Sequence, residues 1–335
     1  MCSNIPSPET LLSPLLLKPA IGHDVTVAPQ VTVVTVCFNP IADGRKEALA
    51  KNLDSVQQQR GVKLEHLIID GASTDGTLDF LKAYNNTKHD VGIFSMADSG
   101  IYEAMNRGIA LARGEYVIFL NSDDFYHRPD GLASSLKALE QSRCSFTFAP
   151  VRPEGAKRFH THYHHPQRRL HKLFLTSVIP HPSMLYRKSA LTAEGGFDTQ
   201  YKLAADYDLT LRLIADGHKA RFVASCFATF VMGGFSTLSQ NSALEERENI
   251  SIVKNIHSKV FGVELTEMEA KHLVRKGTYP RKFLSVYLAS QRLIAQAFEG
   301  LPTGLAYKLT RCFNYIKYLF RCLACSSSPD NAGRE

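Results

Sequence analysis

The chain contains no tryptophan, and none of its apolar runs approaches the roughly 20 residues needed to span a bilayer. The leucine-rich stretch from Leu11 to Leu17 is short, interrupted by Pro14 and not preceded by basic residues, so it makes a poor signal peptide. Cysteine is sparse, and its count of seven is odd. The scatter of these residues suits reduced thiols of a cytosolic protein and excludes a disulfide framework. Cys322 and Cys325 form a CxxC, but no second pair or histidine accompanies it, and the spacing reads as incidental. A glycine-rich phosphate loop is also missing. Asn39-Pro40-Ile41-Ala42-Asp43 stands where that loop would follow the first strand, which argues against a dinucleotide-binding dehydrogenase and a sugar-nucleotide pyrophosphorylase. Acids are in deficit, with 32 Asp and Glu against 39 Lys and Arg, a net charge of +7. An anionic partner is therefore expected. Because the basic residues concentrate in the tail without a recognised binding motif, that partner is not nucleic acid.

The first half alternates strand and helix patterns. Val31 to Phe38 is a β-branched run and reads as a buried strand. Leu64 to Ile69 is a second strand, ending on Asp70-Gly71, and Ser73-Thr74-Asp75-Gly76-Thr77 supplies a turn and the start of a helix. Val91 to Ser95 and Tyr116 to Leu120 are further strands, with a helix over 100–112 between them. Such βαβ units predict an α/β fold with a doubly wound, mostly parallel sheet. Later strands are expected at Cys144–Ala149, Lys157–Tyr163 and Ser183–Arg187, and a helix from Ala204 to Ala215. From about Leu244 only helices are expected.

Parallel strands bring their carboxyl ends to one edge, where open α/β sheets bind ligands. Thr35 with Asn39, Asp70, and Asp123 with Asp124 gather there. The adjacent carboxylates repel, and a divalent cation that also holds a diphosphate would remove that cost. Asp206 and Asp208 fall in the first turn of the Ala204–Ala215 helix. Acids there serve equally well as dipole-stabilising caps or as a general base.

Taken together, Val33–Asn39, Ile68–Thr77, Asn106–Asp124 and the Asp206 helix resemble the family 2 glycosyltransferases of the GT-A fold, over roughly residues 30 to 235. The form Ser99-Gly100-Ile101-Tyr102-Glu103-Ala104-Met105-Asn106 is similar to that in enzymes building bacterial surface polysaccharides, O-antigens and colanic-acid-type polymers. The resemblance implies a nucleotide-sugar donor and a saccharide or lipid-linked acceptor. It implies a hexosyl transfer that inverts the anomeric carbon, with Mn2+ or Mg2+ as cofactor.

It also assigns roles by position. Thr35 would lie beside the base and ribose, with Asn39 and Asp70 on the same edge. Asp98 would hold the nucleotide side of the donor, and Asp123 the ribose. Asp124 would be the direct metal ligand and Asp206 the catalytic base. His181 would lie at the donor–acceptor boundary, although a buried hydrogen-bonding histidine fits that position as well. Two departures matter. Gly71 stands where many relatives carry a second acid that reads the base, so the donor nucleotide is left open. The base segment reads Ala-Asp-Tyr-Asp, in which Asp206 aligns better than Asp208.

The expected organisation is a loose leader over 1–29, a GT-A domain over 30–240, a basic helical extension over 241–325 and a disordered tail over 326–335. The domain divides into a nucleotide half, 30–125, and an acceptor half, 126–240. Leu305, Leu309, Cys312, Ile316, Leu319, Phe320 and Leu323 recur at helical spacing beside Lys308, Arg311, Lys317 and Arg321. This basic amphipathic pattern is suited to an anionic membrane surface. The expected location is cytoplasmic, peripheral on the inner face of the plasma membrane. The rival reading is an inactive glycosyltransferase-like scaffold.

Overall fold

The computed structural model describes residues 28–85, 91–155, 161–233 and 241–302. The leader before residue 28, the amphipathic stretch over 305–323, the CxxC and the final ten residues lie outside the described residues.

The elements in chain order are β1 (Val31–Cys37), α1 (Lys46–Gln57), β2 (Leu64–Asp70), α2 (Thr77–Asn85), β3 (Val91–Ser95), α3 (Ile101–Leu111) and β4 (Tyr116–Phe119). There follow β5 (Phe125–Tyr126), α4 (Gly131–Glu140), β6 (Phe146–Phe148), β7 (Val151–Glu154), α5 (Thr161–His164), β8 (Leu185–Arg187) and α6 (Lys188–Ala193). Then come α7 (Ala205–Ala215), β9 (Ala220–Phe222), β10 (Ala228–Val231), α8 (Ser242–Phe261), α9 (Glu267–Lys276), α10 (Leu284–Ala297) and β11 (Phe298–Glu299). Short 3₁₀ turns occupy Pro166–Lys172 and His181–Ser183.

Eight strands form the main sheet in the order β11-β9-β6-β8-β4-β1-β2-β3. Every pairing in it is parallel except those of β8, which runs antiparallel to β4 and to β6. All seven residues of β1 are buried, as a central strand covered on both faces requires. Helix α3 lies so close to β1 that a Cβ on Gly108 would stand 2.4 Å from Val34 Cγ1; only glycine permits that approach. A second, three-stranded sheet has the order β5-β10-β7.

Three expectations change. Of the predicted Lys157–Tyr163 strand, the described part opens the short helix α5, and Tyr163 packs its ring on Phe230 at 5.3 Å between centroids. Ser183 belongs to a 3₁₀ turn, where its hydroxyl donates to the Ala149 carbonyl at 2.7 Å, so β8 starts only at Leu185. The segment after Leu244 is not wholly helical, since β11 joins β9 at the edge of the main sheet. Phe298 draws it there by packing edge-on against Phe148, 5.5 Å away. Ile250, Val253, Ile256 and Leu273 of α8 and α9 share one core with Val34, Phe119 and Leu209, so these helices are packed directly onto the sheet. Among the described residues, no helix is long and apolar enough to cross a membrane.

Candidate active site

A cleft of about 620 Å³ opens where the carboxyl ends of β1 and β4 face the start of α7. Asp98, Asp123, His181 and Asp206 all line it, whereas Thr35, Asn39, Asp70 and Asp124 do not. The first strand ends therefore act at one remove.

Thr35 is fully buried, and its hydroxyl donates to Asn52 Oδ1 at 3.2 Å. With that proton committed, His66 Nε2, 2.9 Å away, must be the donor of the second bond. Asn52, from α1, then donates its amide to the backbone carbonyls of Asn121 and Asp124, both at 2.8 Å. Thr35 is thus the far end of a brace that sets the loop bearing Asp123. Burial pushes His66 down to about 3, so it is neutral in this brace.

Asp70 is also fully buried; it accepts from the Ser73 amide at 3.0 Å and from the Ser95 hydroxyl at 2.6 Å. It thereby folds the Gly71-Ala72-Ser73 turn, in which Ala72 sits at φ 63°. An L-residue resists that left-handed conformation, so the bonds around the turn must hold it. Asn39, at φ 46°, clasps the same turn, its amide N–H bonding Ser73 Oγ and its Oδ1 accepting from the Thr74 amide, each at 2.8 Å. A side chain at Gly71 would approach Asp98 Oδ2 to 2.9 Å, so the departure from a second acid here leaves room for Asp98. Burial raises the Asp98 carboxyl, while its bond from the Gly100 amide at 3.0 Å acts in the other direction.

The Asp123–Asp124 pair does not sit as expected. Asp123 faces the cleft, 3.7 Å from the Arg45 guanidinium. Asp124 is turned into the interior with no exposed surface, because the Val231 amide holds its Oδ1 at 2.9 Å. Its Oδ2 is buried without a hydrogen-bond partner. Burial raises the carboxyl of Asp123, and burial together with the Asp123 charge raises that of Asp124 well above the ordinary range. An orphaned carboxylate oxygen behind a cleft-facing acid is a donor set that a divalent cation fits. Among the described residues no group of three or more His, Cys, Asp or Glu could hold a metal ion.

On the opposite wall, Asp206 occupies the first turn of α7, where the helix dipole favours a negative charge. Its Oδ1 accepts from the Tyr102 hydroxyl at 3.1 Å, which gives a role to the tyrosine of the Ser99–Asn106 motif. Asp208, the competing acid, is outside the cleft and paired with Arg212 at 2.7 Å. His181 stacks on Phe119 at 5.5 Å and meets Phe197 edge-on at 5.8 Å. Burial lowers its pKa, partly offset by the Asp206 charge, and its Nε2 is buried without a partner.

Sequence reasoning did not find Glu248. This α8 carboxylate accepts three consecutive backbone N–H groups, from Lys202, Leu203 and Ala204, at 2.7, 2.9 and 3.0 Å. These residues lead straight into Asp206. One and two turns of sequence signal around Glu248 are those of an ordinary polar helix, and nothing local marks it. Glu245 and Asn249 of the same helix line the cleft.

An open, mostly parallel sheet whose Asp123, just beyond β4, faces Asp206 in the first turn of α7 across one cleft is an α/β arrangement of the GT-A type. Solved structures agree on the fold. TarS residues 1–349 of S. aureus, in complex with UDP-GlcNAc, aligns with TM-score 0.58 at 15% identity, over 80% of this chain and 81% of that one. The mannosyltransferase PcManGT of Pyrobaculum calidifontis, in complex with GDP-Man and Mn2+, aligns with TM-score 0.52 at 18% identity, over 86% and 91%. In sequence, the family model for Glycosyl transferase family 2 matches residues 32–194. An uncharacterized glycosyltransferase of Mycobacterium tuberculosis is 31% identical over 218 residues, 62% of this chain and 79% of the relative. The chain belongs to glycosyltransferase family 2 and is a glycosyltransferase.

Proposed function

We propose that this enzyme transfers a hexosyl group from a nucleotide-sugar donor to a hydroxyl of a saccharide or lipid-linked saccharide, in the synthesis of a bacterial surface polysaccharide. The observation that carries the reading is the facing of Asp206 and Asp123 across one cleft, between the nucleotide edge of the sheet and the start of α7. The complexes of TarS with UDP-GlcNAc and of PcManGT with GDP-Man, on the same fold, support the donor class.

In the proposed step, an acceptor oxygen attacks the anomeric carbon from the face opposite the diphosphate, which inverts the centre. The new O–C1 bond forms as the C1–O bond to the diphosphate breaks, and the leaving oxygen keeps that electron pair. Asp206 takes the acceptor proton, with Tyr102 fixing the orientation of its carboxylate. Asp123 and Asp124 would hold Mn2+ or Mg2+, as the Mn2+ in PcManGT suggests. Such a cation supplies positive charge for the diphosphate. Arg45 and Lys202 line the same cleft and can pair with phosphate oxygens. The basic stretch over 305–323 would place the enzyme on the anionic inner face of the plasma membrane.

The test is calorimetric titration with UDP, GDP and dTDP, with and without Mn2+, on the wild type and on Asp123→Ala and Asp124→Ala. One nucleotide should bind in a Mn2+-dependent manner, with at least tenfold loss in each variant. Binding indifferent to Mn2+ and to both substitutions would remove the metal from the scheme. No binding by any nucleotide would remove the donor reading itself.

A further inference from the structure

Helix α8 begins 48 residues beyond the stretch matched by the family model, which ends at residue 194, yet it forms part of the cleft wall. Glu245 and Asn249 stand one turn apart on it, at i and i+4, and so share a face. Both line the cleft, together with Tyr163 of α5 and Phe230 of β10. Three segments distant in sequence therefore meet in the lining of the cleft that holds Asp206.

We infer that Tyr163, Phe230, Glu245 and Asn249 form a saccharide subsite that holds the acceptor ring next to Asp206. The inference rests on the transferase reading above and deepens its acceptor half.

The chemistry of the four side chains converges on a polyol with an apolar face. Tyr163 and Phe230 lie together, with ring centroids 5.3 Å apart at 37°, and offer a broad aromatic surface to the C–H face of a sugar ring. Asn249 Oδ1 is buried and has no hydrogen-bond partner, so it lacks a donor that a ligand hydroxyl can supply. Its amide nitrogen can donate while Glu245 accepts, and neighbouring hydroxyls both donate and accept. Pockets of this composition, apolar with a few convergent polar groups, fix the orientation of small ligands. The nearness of these groups to the base is visible in their electrostatics. Burial, then Asp206 and Glu248, raise the Glu245 carboxyl. Burial, then Glu245 and Asp206, push the Tyr163 phenol up to about 12.

The experiment is steady-state kinetics at fixed donor with methyl glycosides of glucose, galactose, mannose and N-acetylglucosamine as acceptors. It uses wild type, Glu245→Gln, Asn249→Ala and Phe230→Leu. For the glycoside that wild type uses best, acceptor KM should rise at least tenfold in each variant, with donor KM within twofold. Phe230→Leu retains an apolar side chain, and a thermal melt on each variant checks its fold. Unchanged acceptor KM, or equal rises in acceptor and donor KM, would overturn the subsite. A wild type that hydrolyses donor but uses none of the glycosides overturns it too, and leaves the transferase reading standing. A wild type that binds no nucleotide overturns both.

Discussion

Behind the β1–β2 wall of the cleft, Thr35, Asn39 and Asp70 commit polar atoms to Asn52, His66, Ser73, Thr74 and Ser95. Lining the cavity itself, Asp206 of the α7–α8 wall is joined by His181 of the His181–Ser183 turn and Asn249 of α8, and the last two carry buried polar atoms without partners. The two walls thus divide the work. The first is a hydrogen-bond scaffold that fixes loop geometry, with His66 Nδ1 the atom of its Thr35 brace left without a partner, and it should respond to mutation mainly in stability. The second keeps polar atoms in reserve for a ligand, so substitutions there should appear mainly in turnover.

The sharpest way to break this contrast is to substitute one carboxylate on each wall. Asp206→Asn removes the carboxylate proposed to accept the proton but keeps the shape, and kcat should fall by on the order of 10² to 10⁴ with an almost unchanged melting temperature. Asp70→Ala leaves the half-buried Ser73 and Ser95 donors without their buried acceptor, at a cost of about 3 kcal/mol in unfolding free energy. Urea titration and initial rates on both variants decide the matter. If Asp70→Ala kept full stability and lost nucleotide affinity, the scaffold description of its wall would fail.

Glu248 tests whether the second wall has a brace of its own. Glu248→Gln weakens three charge-assisted bonds to the loop that delivers Asp206, yet it leaves the cleft-lining side chains in place. Stability should drop by about 1 to 2 kcal/mol. In addition kcat should fall several-fold while donor KM holds, since the altered loop moves Asp206, the proposed base, relative to the acceptor. Lost stability with an unchanged kcat would make Glu248 a packing residue only.

How legible this was in the sequence follows from how local each signal is. The β-branched run of β1, the apolar strands β2 and β4, and the first-turn acids of α7 declare themselves within ten residues, and all appear at or within a residue or two of their expected bounds. The carboxyl ends of those strands could also be placed at one edge from topology alone. What the sequence did not carry was the direction of each side chain. Asp124 stands at the expected strand end, yet a single amide 107 residues away, Val231 N–H, turns it inward. Asp70 likewise looks identical in sequence whether it meets a nucleotide or folds back on Ser95, 25 residues on. Glu245, Glu248 and Asn249 were missed because their meaning arises only when α8 crosses the start of α7. The short strands β8 and β11 were blurred for a related reason, since three or two residues hold too little pattern to read.

A further comparison sets the two walls against each other in acid. His66 lies under the first wall, and His257, bonded to the Tyr279 hydroxyl at 2.9 Å, lies beneath the second in α8. Burial lowers His66 from 6.5 to about 3 and His257 from 6.5 to about 4. The unfolded chain therefore binds protons below pH 6.5 that the folded chain refuses. Stability is intact above that pH and declines as pH falls, until about pH 4 for His257 and about pH 3 for His66. Each histidine contributes a slope of up to about 1.4 kcal/mol per pH unit. Urea titrations from pH 7 to 4.5 should show this decline, and His257→Gln should remove one histidine's share of it. If hydrogen exchange at pH 5 opened α8 while β1 and β2 stayed protected, the ligand-facing wall would be the weaker in acid as well as the less satisfied. If both opened together, the division between the walls would be one of chemistry alone, resting on a single cooperative fold.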